Sequence, residues 1–195
     1  SDHYHNPSTL IIPATGKWAM KATDINTAGR LAYNMIGVLR NDPAAINNAH
    51  TDATANYWVD SGVVYKNGSS LGVVAASYTI NDVLQILYDR DAATLKLYKN
   101  GSLSYTITAV STLADTFSVV GNESGTAVWT VDFGQNGYVA TDTDYLALNT
   151  TNIAASRTAT VFNPDDHYYQ KVVTHDGSST NFTLPDFCTT HEYLI

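Results

Sequence analysis

Acidic residues and histidines come closest to forming a chemical site in this sequence. Asp89 and Asp91, in the run YDRDAAT, have the spacing of two metal ligands, and His3 and His5 have the spacing of a chelating pair on an extended segment. A calcium ion takes about six or more oxygen ligands, which this pair does not supply. The pattern favours carboxylates that cap a turn and a polar N-terminal segment. We predict no bound metal and no cofactor.

Catalytic groups are scarce. The chain has two glutamates, Glu123 and Glu192, and so lacks the closely alternating pair expected on a strand of a sandwich-fold glycosidase. His50 and Asp52 are close in sequence, but no serine or cysteine stands in a recognisable nucleophile elbow. The single cysteine, Cys188, has no motif around it and predicts a structural thiol. We predict that the protein is not an enzyme.

Charge and hydropathy narrow the range of partners. The 195-residue chain has a formal net charge of −8 and no basic run, which argues against binding nucleic acid through phosphate contacts. No apolar run is long enough to span a bilayer, so we predict no membrane insertion.

The elements that position any site are predicted to be β-strands. Turn signals rich in Gly and Asn recur between short runs of β-branched and aromatic residues, a pattern typical of an all-β sandwich or barrel. In Thr94–Tyr98, Leu95 and Leu97 alternate with Lys96 and Tyr98, as expected for a strand with one buried face. No segment has a convincing helical stripe.

The motif YKNG occurs twice, at Tyr65–Gly68 and at Tyr98–Gly101. Asn-Gly tolerates the positive φ angles of a type I′ turn, whose twist matches the flanking strands of a hairpin. The residues around the two copies do not match in register, so the motif predicts two hairpin turns and not an internal repeat. We expect positive φ at Gly68 and Gly101.

The strand pattern predicts a core between two antiparallel sheets. Asn41–Asn56, which is rich in Asn and holds a proline, predicts a long loop, and long loops in compact domains are often functional. Gly134–Ala159 shows little alternation and predicts an extended covering segment.

The residues predicted to lie in the core between the two sheets are Trp18, Ile36, Val38, Val83, Leu95 and Leu97.

The long loop and the aromatic residues that border it form the predicted ligand-binding site. Exposed aromatic rings stack on sugar faces and anchor protein interfaces. The alternative is that the tryptophans on alternating strands, Trp58 among them, belong to the core. The predicted site residues are Tyr33, Asp42, Asn47, His50, Asp52, Tyr57 and Trp58.

The order of several segments resembles the SPRY domain. These segments are GKWAMKA at Gly16–Ala22, MIGV at Met35–Val38, NDVLQILYDRDAATLKLYKNG at Asn81–Gly101 and VDFGQ at Val131–Gln135. The resemblance covers about Pro13 to Asn149 and implies an all-β fold, a two-sheet antiparallel β-sandwich of the concanavalin-like jelly-roll type. It carries over no binding residue, because no loop matches a motif of the peptide-recognising members.

Two later segments resemble phage proteins that contain this domain. DYLALNTTNI at Asp144–Ile153 resembles the segment that closes such SPRY modules, and Asn163–Leu184 resembles the start of the β-unit that follows them. The resemblance implies an N-terminal segment at 1–12, the sandwich at 13–153, and at 154–195 a linker with a C-terminal β-hairpin extension that turns at Asp176–Gly177. It also implies a place in the virion, an extracellular particle.

We therefore predict a non-catalytic structural or adhesive virion module from a tail fibre, a baseplate or a head decoration. Its expected partners are other virion proteins or copies of itself, with a host-surface glycan or protein as a further ligand. A lectin-like carbohydrate-binding domain and a cellular SPRY adaptor that recognises a peptide are the alternatives.

The N-terminus departs from the SPRY pattern. Only about fifteen residues precede Gly16, so the first strand of the sandwich is expected to be incomplete. We expect a partner to contact residues 1–12 and 165–195, and the loop Asn41–Asn56 to stay free for a ligand.

Overall fold

The computed structural model describes residues 4–25, 34–42, 45, 51–121, 128–149, 151–153, 158–163 and 169–174. The chain divides into two compact units, residues 1–149 and residues 150–195. The division predicted from sequence, at residues 12 and 153, stays a prediction.

The first unit is built from short strands. In chain order they are β1 (Tyr4–Pro7), β2 (Lys17–Asp24), β3 (Met35–Leu39), β4 (Asn56–Val59), β5 (Val63–Lys66), β6 (Ser69–Val73), β7 (Val83–Asp89), β8 (Thr94–Lys99), β9 (Ser102–Thr108), β10 (Thr116–Gly121), β11 (Trp129–Asp132) and β12 (Leu146–Ala147).

These strands form two sheets. The first sheet has the order β1-β10-β3-β4-β5-β6, and the second has the order β11-β2-β7-β8-β9. Neighbouring strands in both orders are antiparallel, and the short β12 pairs with β2 in parallel. The predicted two-sheet β-sandwich is confirmed.

The first strand is supplied by the chain itself. Tyr4–Pro7 pairs with β10, with Tyr4 opposite Gly121 and Pro7 opposite Ser118. The first strand is therefore present in the described residues, and the expected contact of a partner with residues 1–12 and 165–195 stays a prediction. The local pattern of a four-residue strand does not reveal a pairing partner more than a hundred residues later in the chain.

The main core follows the predicted alternation. Trp18, Tyr88 and Leu95 lie opposite one another on β2, β7 and β8, as do Met20, Ile86 and Leu97. All six are buried, and so are the predicted core residues Ile36 and Val38 of β3.

Val83 corrects the core prediction, because it is only partly buried. Alternation places Val83 on the opposite face of β7 from Leu84 and Ile86, and at the end of the strand. Its backbone N–H donates to the Asn100 side chain at 2.8 Å, beside an exposed hairpin turn.

The second sheet is also covered on its other face. Ala19 and Leu87 pack there in a cluster with residues of the segment 134–149, which we call the cover. The members from the cover are Tyr138, Ala140, Tyr145 and Ala147. The extended covering segment predicted from Gly134 onward is confirmed for the described residues 134–149.

Polar groups attach the cover to the sheet. The Gln85 side-chain oxygen accepts hydrogen bonds from the Tyr138 hydroxyl and the Thr141 backbone N–H, both at 3.0 Å. The Lys96 ammonium lies 2.7 Å from the Asp142 carboxylate and 5.2 Å from the centre of the Tyr145 ring. The cover therefore depends on charged contacts as well as on apolar packing.

We expect acid to weaken this attachment. The hydrogen bond from Lys96 holds the pKa of Asp142 below its ordinary value of 3.8. The folded form therefore binds a proton less readily than the unfolded form, so the stabilisation is complete above the ordinary carboxyl pKa and is lost as the pH falls from there through the lower pKa of the folded form. In urea unfolding measured against pH, Asp142→Asn should lower stability at neutral pH and flatten the decline in acid. An acid profile identical to that of the unchanged protein would contradict the role of this ion pair.

The two Asn-Gly turns have the predicted geometry. Asn67 and Gly68 have φ of 48° and 76°, and Asn100 and Gly101 have φ of 50° and 81°. The first pair joins β5 to β6 and the second joins β8 to β9. Positive φ at both central residues is the signature of a type I′ hairpin turn.

The surroundings of the two turns differ, which gives a matched prediction. A Cβ at Gly68 would lie 2.6 Å from the backbone oxygens of Thr51 and Asp52, whereas a Cβ at Gly101 would have no neighbour within 4 Å. Alanine at either position takes an unfavourable φ, at a cost of about 1–2 kcal/mol. Gly68→Ala should therefore destabilise the protein clearly more than Gly101→Ala in denaturant unfolding. Equal losses would show that the first turn does not pack against residues 51 and 52.

The second unit contains a β-hairpin that precedes the predicted turn. Strands β13 (Thr158–Asn163) and β14 (Tyr169–Thr174) pair antiparallel. The turn predicted at Asp176–Gly177 lies outside the described residues.

Candidate interaction surface

The carboxylates of the predicted loop site serve as local caps. Asp42 accepts a hydrogen bond from the Ala45 backbone N–H at 2.8 Å and pairs with Arg40. Asp52 accepts hydrogen bonds from the Thr54 backbone N–H, at 2.8 Å, and from the Thr54 hydroxyl. Capping of this kind shapes the loop and does not require a ligand.

Part of the described loop is packed against the first sheet. Ala45 and Ala55 are fully buried in a cluster on the first sheet with Met35, Tyr57 and Val59. The expectation of a free loop is therefore wrong at Ala45 and Ala55. Tyr33, Asn47 and His50 lie outside the described residues, and their proposed binding role stays a prediction.

Tyr57 and Trp58 do not face solvent, which corrects their assignment as binding residues. Both are fully buried, because β4 lies between β3 and β5 and both of its faces are covered. The Trp58 indole N–H donates to the Ala76 carbonyl at 2.9 Å, and its ring packs edge-on against Tyr78 with centroids 5.1 Å apart. Burial raises the pKa of the Tyr57 hydroxyl well above its usual range. Neither ring can stack on a sugar.

An exposed apolar surface lies instead at the β6 end of the first sheet. All five residues of β6 are exposed, and β6 is the terminal strand of that sheet. The exposed fraction is 71% for Val73 and 53% for Leu103 on β9. We call the exposed apolar residues of this region the rim; they are Leu71, Val73, Val74 and Leu103.

The backbone after β6 connects the two parts of the rim. The N–H groups of Val74 and Ala75 donate to the Gly62 carbonyl at 3.2 and 3.1 Å. The Ala76 N–H donates to the Ser104 hydroxyl on β9 at 2.7 Å. These bonds bring the end of β6 to the edge strand of the second sheet, so the rim lies on a fixed backbone.

The two ends of the first sheet differ in composition. Ser69–Ser77 contains no charged residue and no proline. The strand at the other end, β1, has four residues and ends at Pro7, which has no N–H to donate. Short edge strands, charges and prolines are among the features that prevent one edge from associating with another chain, and β6 has neither a charge nor a proline. The sequence shows this uncharged run but not that it forms an exposed edge, which depends on the order of strands in the sheet.

The acidic pair considered for metal binding has a structural role. The Asp89 carboxylate accepts hydrogen bonds from the backbone N–H groups of Asp91 and Ala92, at 3.0 and 2.9 Å. Asp91 accepts one from the Gly16 N–H at 3.0 Å. The prediction of a capped turn is confirmed. Among the described residues, no group of three or more His, Cys, Asp or Glu side chains is placed to hold a metal ion.

The part of the chain described by the structure includes no helix that is long and apolar enough to cross a membrane.

Comparison with known proteins identifies the fold. No family model and no curated protein matches the sequence. Among solved structures, the SPRY domain of human HERC1 matches with a TM-score of 0.55 and 17% identity, over 68% of this chain and 82% of that domain. A second human SPRY domain matches with a TM-score of 0.53 and 11% identity, over 67% of this chain and 84% of that one. The chain therefore contains a sandwich of the SPRY fold.

Proposed function

We propose that this protein is a non-catalytic protein-interaction module that binds its partner through the rim. The observation that supports this most directly is the combination of exposed apolar side chains with an uncharged edge strand. Exposed apolar surfaces can mark interaction sites, and terminal strands without charge or proline favour association. Modules of the SPRY fold that recognise peptides give the proposal a precedent.

A second copy of the chain is the partner that fits this surface best. Each chain has a net charge of −8, so two copies repel at most relative orientations. The segment Ser69–Ser77 is free of charge, and contact there brings the least like charge together. Two rims that meet across a twofold axis form a self-complementary apolar contact.

Sedimentation of three proteins tests this proposal. We expect the unchanged chain to form dimers as its concentration rises and Val73→Asp to stay monomeric. Leu113→Asp is the matched control, because Leu113 is 62% exposed but lies outside the rim, and it should dimerise normally. A monomeric unchanged chain, or a Val73→Asp variant that still dimerises, would contradict binding through the rim.

We further propose that the module belongs to a phage virion, as a structural or adhesive component. The support is the resemblance of DYLALNTTNI, at Asp144–Ile153, to the closing segment of phage SPRY modules. Mass spectrometry of purified virions should detect this chain in the particle. Its absence from the particle would overturn the proposal and favour the alternative of a cellular adaptor. Binding on a glycan array would favour the lectin-like alternative.

A further inference from the structure

The chain contains three Asn-Gly pairs, at Asn67-Gly68, Asn100-Gly101 and Asn136-Gly137. In such a pair the glycine nitrogen can lose its proton and attack the side-chain carbonyl carbon of the asparagine. A new C–N bond forms, ammonia leaves, and water then opens the cyclic imide to aspartate or isoaspartate. Glycine allows this attack because it has no Cβ to hinder it. The reaction requires an amide that can turn toward the glycine nitrogen.

At Asn67 both ends of the side-chain amide and the N–H of the following glycine are hydrogen-bonded. Its side-chain oxygen accepts a hydrogen bond from the Ser111 N–H at 2.7 Å, and its side-chain nitrogen donates to the Ala109 carbonyl at 3.1 Å. The attacking group, the Gly68 N–H, donates to the Ala55 carbonyl at 3.0 Å. All three bonds must break before the ring can close.

Asn100 is held by its side chain. Its oxygen accepts a hydrogen bond from the Val83 N–H at 2.8 Å, and its nitrogen donates to the Asp82 carboxylate at 2.7 Å. The second bond involves a charged acceptor, which makes it stronger than a bond between neutral groups.

Asn136 differs from both. It is exposed, and the described residues provide no hydrogen-bond partner for its side-chain amide. The Gly137 N–H makes one hydrogen bond, to the Gly134 carbonyl, at 3.2 Å. Within the described part of the chain, this pair therefore combines an amide without a hydrogen-bond partner and a weakly held nucleophile.

We propose that Asn136 is the site of spontaneous deamidation in the folded protein, and that Asn67 and Asn100 are protected by their hydrogen bonds. The site matters because residue 136 closely follows Asp132, whose carboxylate accepts a hydrogen bond from the Gly134 N–H at 2.8 Å and lies 3.1 Å from the Lys21 ammonium. A new carboxylate at residue 136 adds like charge beside Asp132, and isoaspartate lengthens the backbone at the start of the cover. Both changes weaken the attachment of the cover to the second sheet.

Peptide mapping by mass spectrometry tests the order of reaction. The full chain is incubated at mildly alkaline pH, and the replacement of amide by carboxylic acid is followed at each pair. We expect Asn136 to react about tenfold faster than Asn100, because two side-chain hydrogen bonds must break at Asn100 and only one long backbone bond, from the Gly137 N–H, must break at Asn136. Asn67 should react slowest. A rate at Asn67 or Asn100 equal to that at Asn136, or no reaction at Asn136, would overturn the proposal.

Two controls separate structure from local sequence. Asn67 and Asn100 share the sequence YKNGS, so their rates should converge in a denaturant, and the advantage of Asn136 should disappear. Asp82→Ala removes the acceptor of the Asn100 amide and should speed the reaction at Asn100 severalfold without changing Asn136. An order that persists in the denatured chain, or an unchanged rate at Asn100 in this variant, would contradict protection by hydrogen bonds.

Discussion

Replacing Gly37 by alanine is expected to destabilise the sandwich by about 3 kcal/mol or more. Gly37 lies at the centre of β3, opposite Tyr57 on β4 and Ser118 on β10. A Cβ at this position would lie 2.0 Å from the Asn56 carbonyl oxygen and 2.8 Å from the Tyr57 ring. Backbone on a neighbouring strand cannot move away without breaking the sheet, so the added methyl group has no space.

Denaturant unfolding of Gly37→Ala and Gly101→Ala together tests this expectation. Gly101 has open space around it, so its variant loses only the cost of an unfavourable φ. Nearly equal losses in the two variants would mean that β3 and β4 are not as close as described. The close approach also gives a physical reason for glycine within the run MIGV.

Leu97→Ala should cost about 2–5 kcal/mol. Leu97 is fully buried on β8, opposite Ile86 of β7, and its removal leaves a cavity in the main core. Leu103→Ala is the matched control, because Leu103 on the adjacent strand is more than half exposed. The control should change stability by less than about 0.5 kcal/mol. Similar losses in the two variants would contradict the assignment of faces on β8 and β9.

Strands that have one buried and one exposed face could be predicted from the sequence. On β8 the alternation of Leu95 and Leu97 with charged and polar residues places them in the core. On β3 all five residues, Met35–Leu39, are buried, because the sandwich covers one face and the cluster with Ala45 and Ala55 covers the other. A strand buried on both faces has no alternation, so the pattern cannot assign its faces.

The candidate surface was less predictable, for a physical reason. Aromatic residues near a long loop are common at interfaces, which favours a binding role for Tyr57 and Trp58, but the composition of a strand does not reveal its position in the sheet. Both residues lie on β4, which is an inner strand of the sheet because it pairs with β3 on one side and with β5 on the other. The long loop separates β3 from β4 in the sequence, so the pairing of these two strands is not a local feature. Leu71 and Val73 are apolar and would be expected in a core, but they are exposed because β6 is the terminal strand of its sheet. The order of strands in the sheet is needed to see this.

Hydrogen exchange of the backbone amides of Ser69–Val74, measured at increasing protein concentration, tests the central claim most directly. Alternate N–H groups of a terminal strand point away from its sheet and exchange readily while the edge is free. Contact between two rims predicts that protection of these amides rises with concentration, while protection of β1 at the opposite end of the same sheet does not change. Exchange in Ser69–Val74 that is independent of concentration would contradict the claim that this edge is the interaction surface.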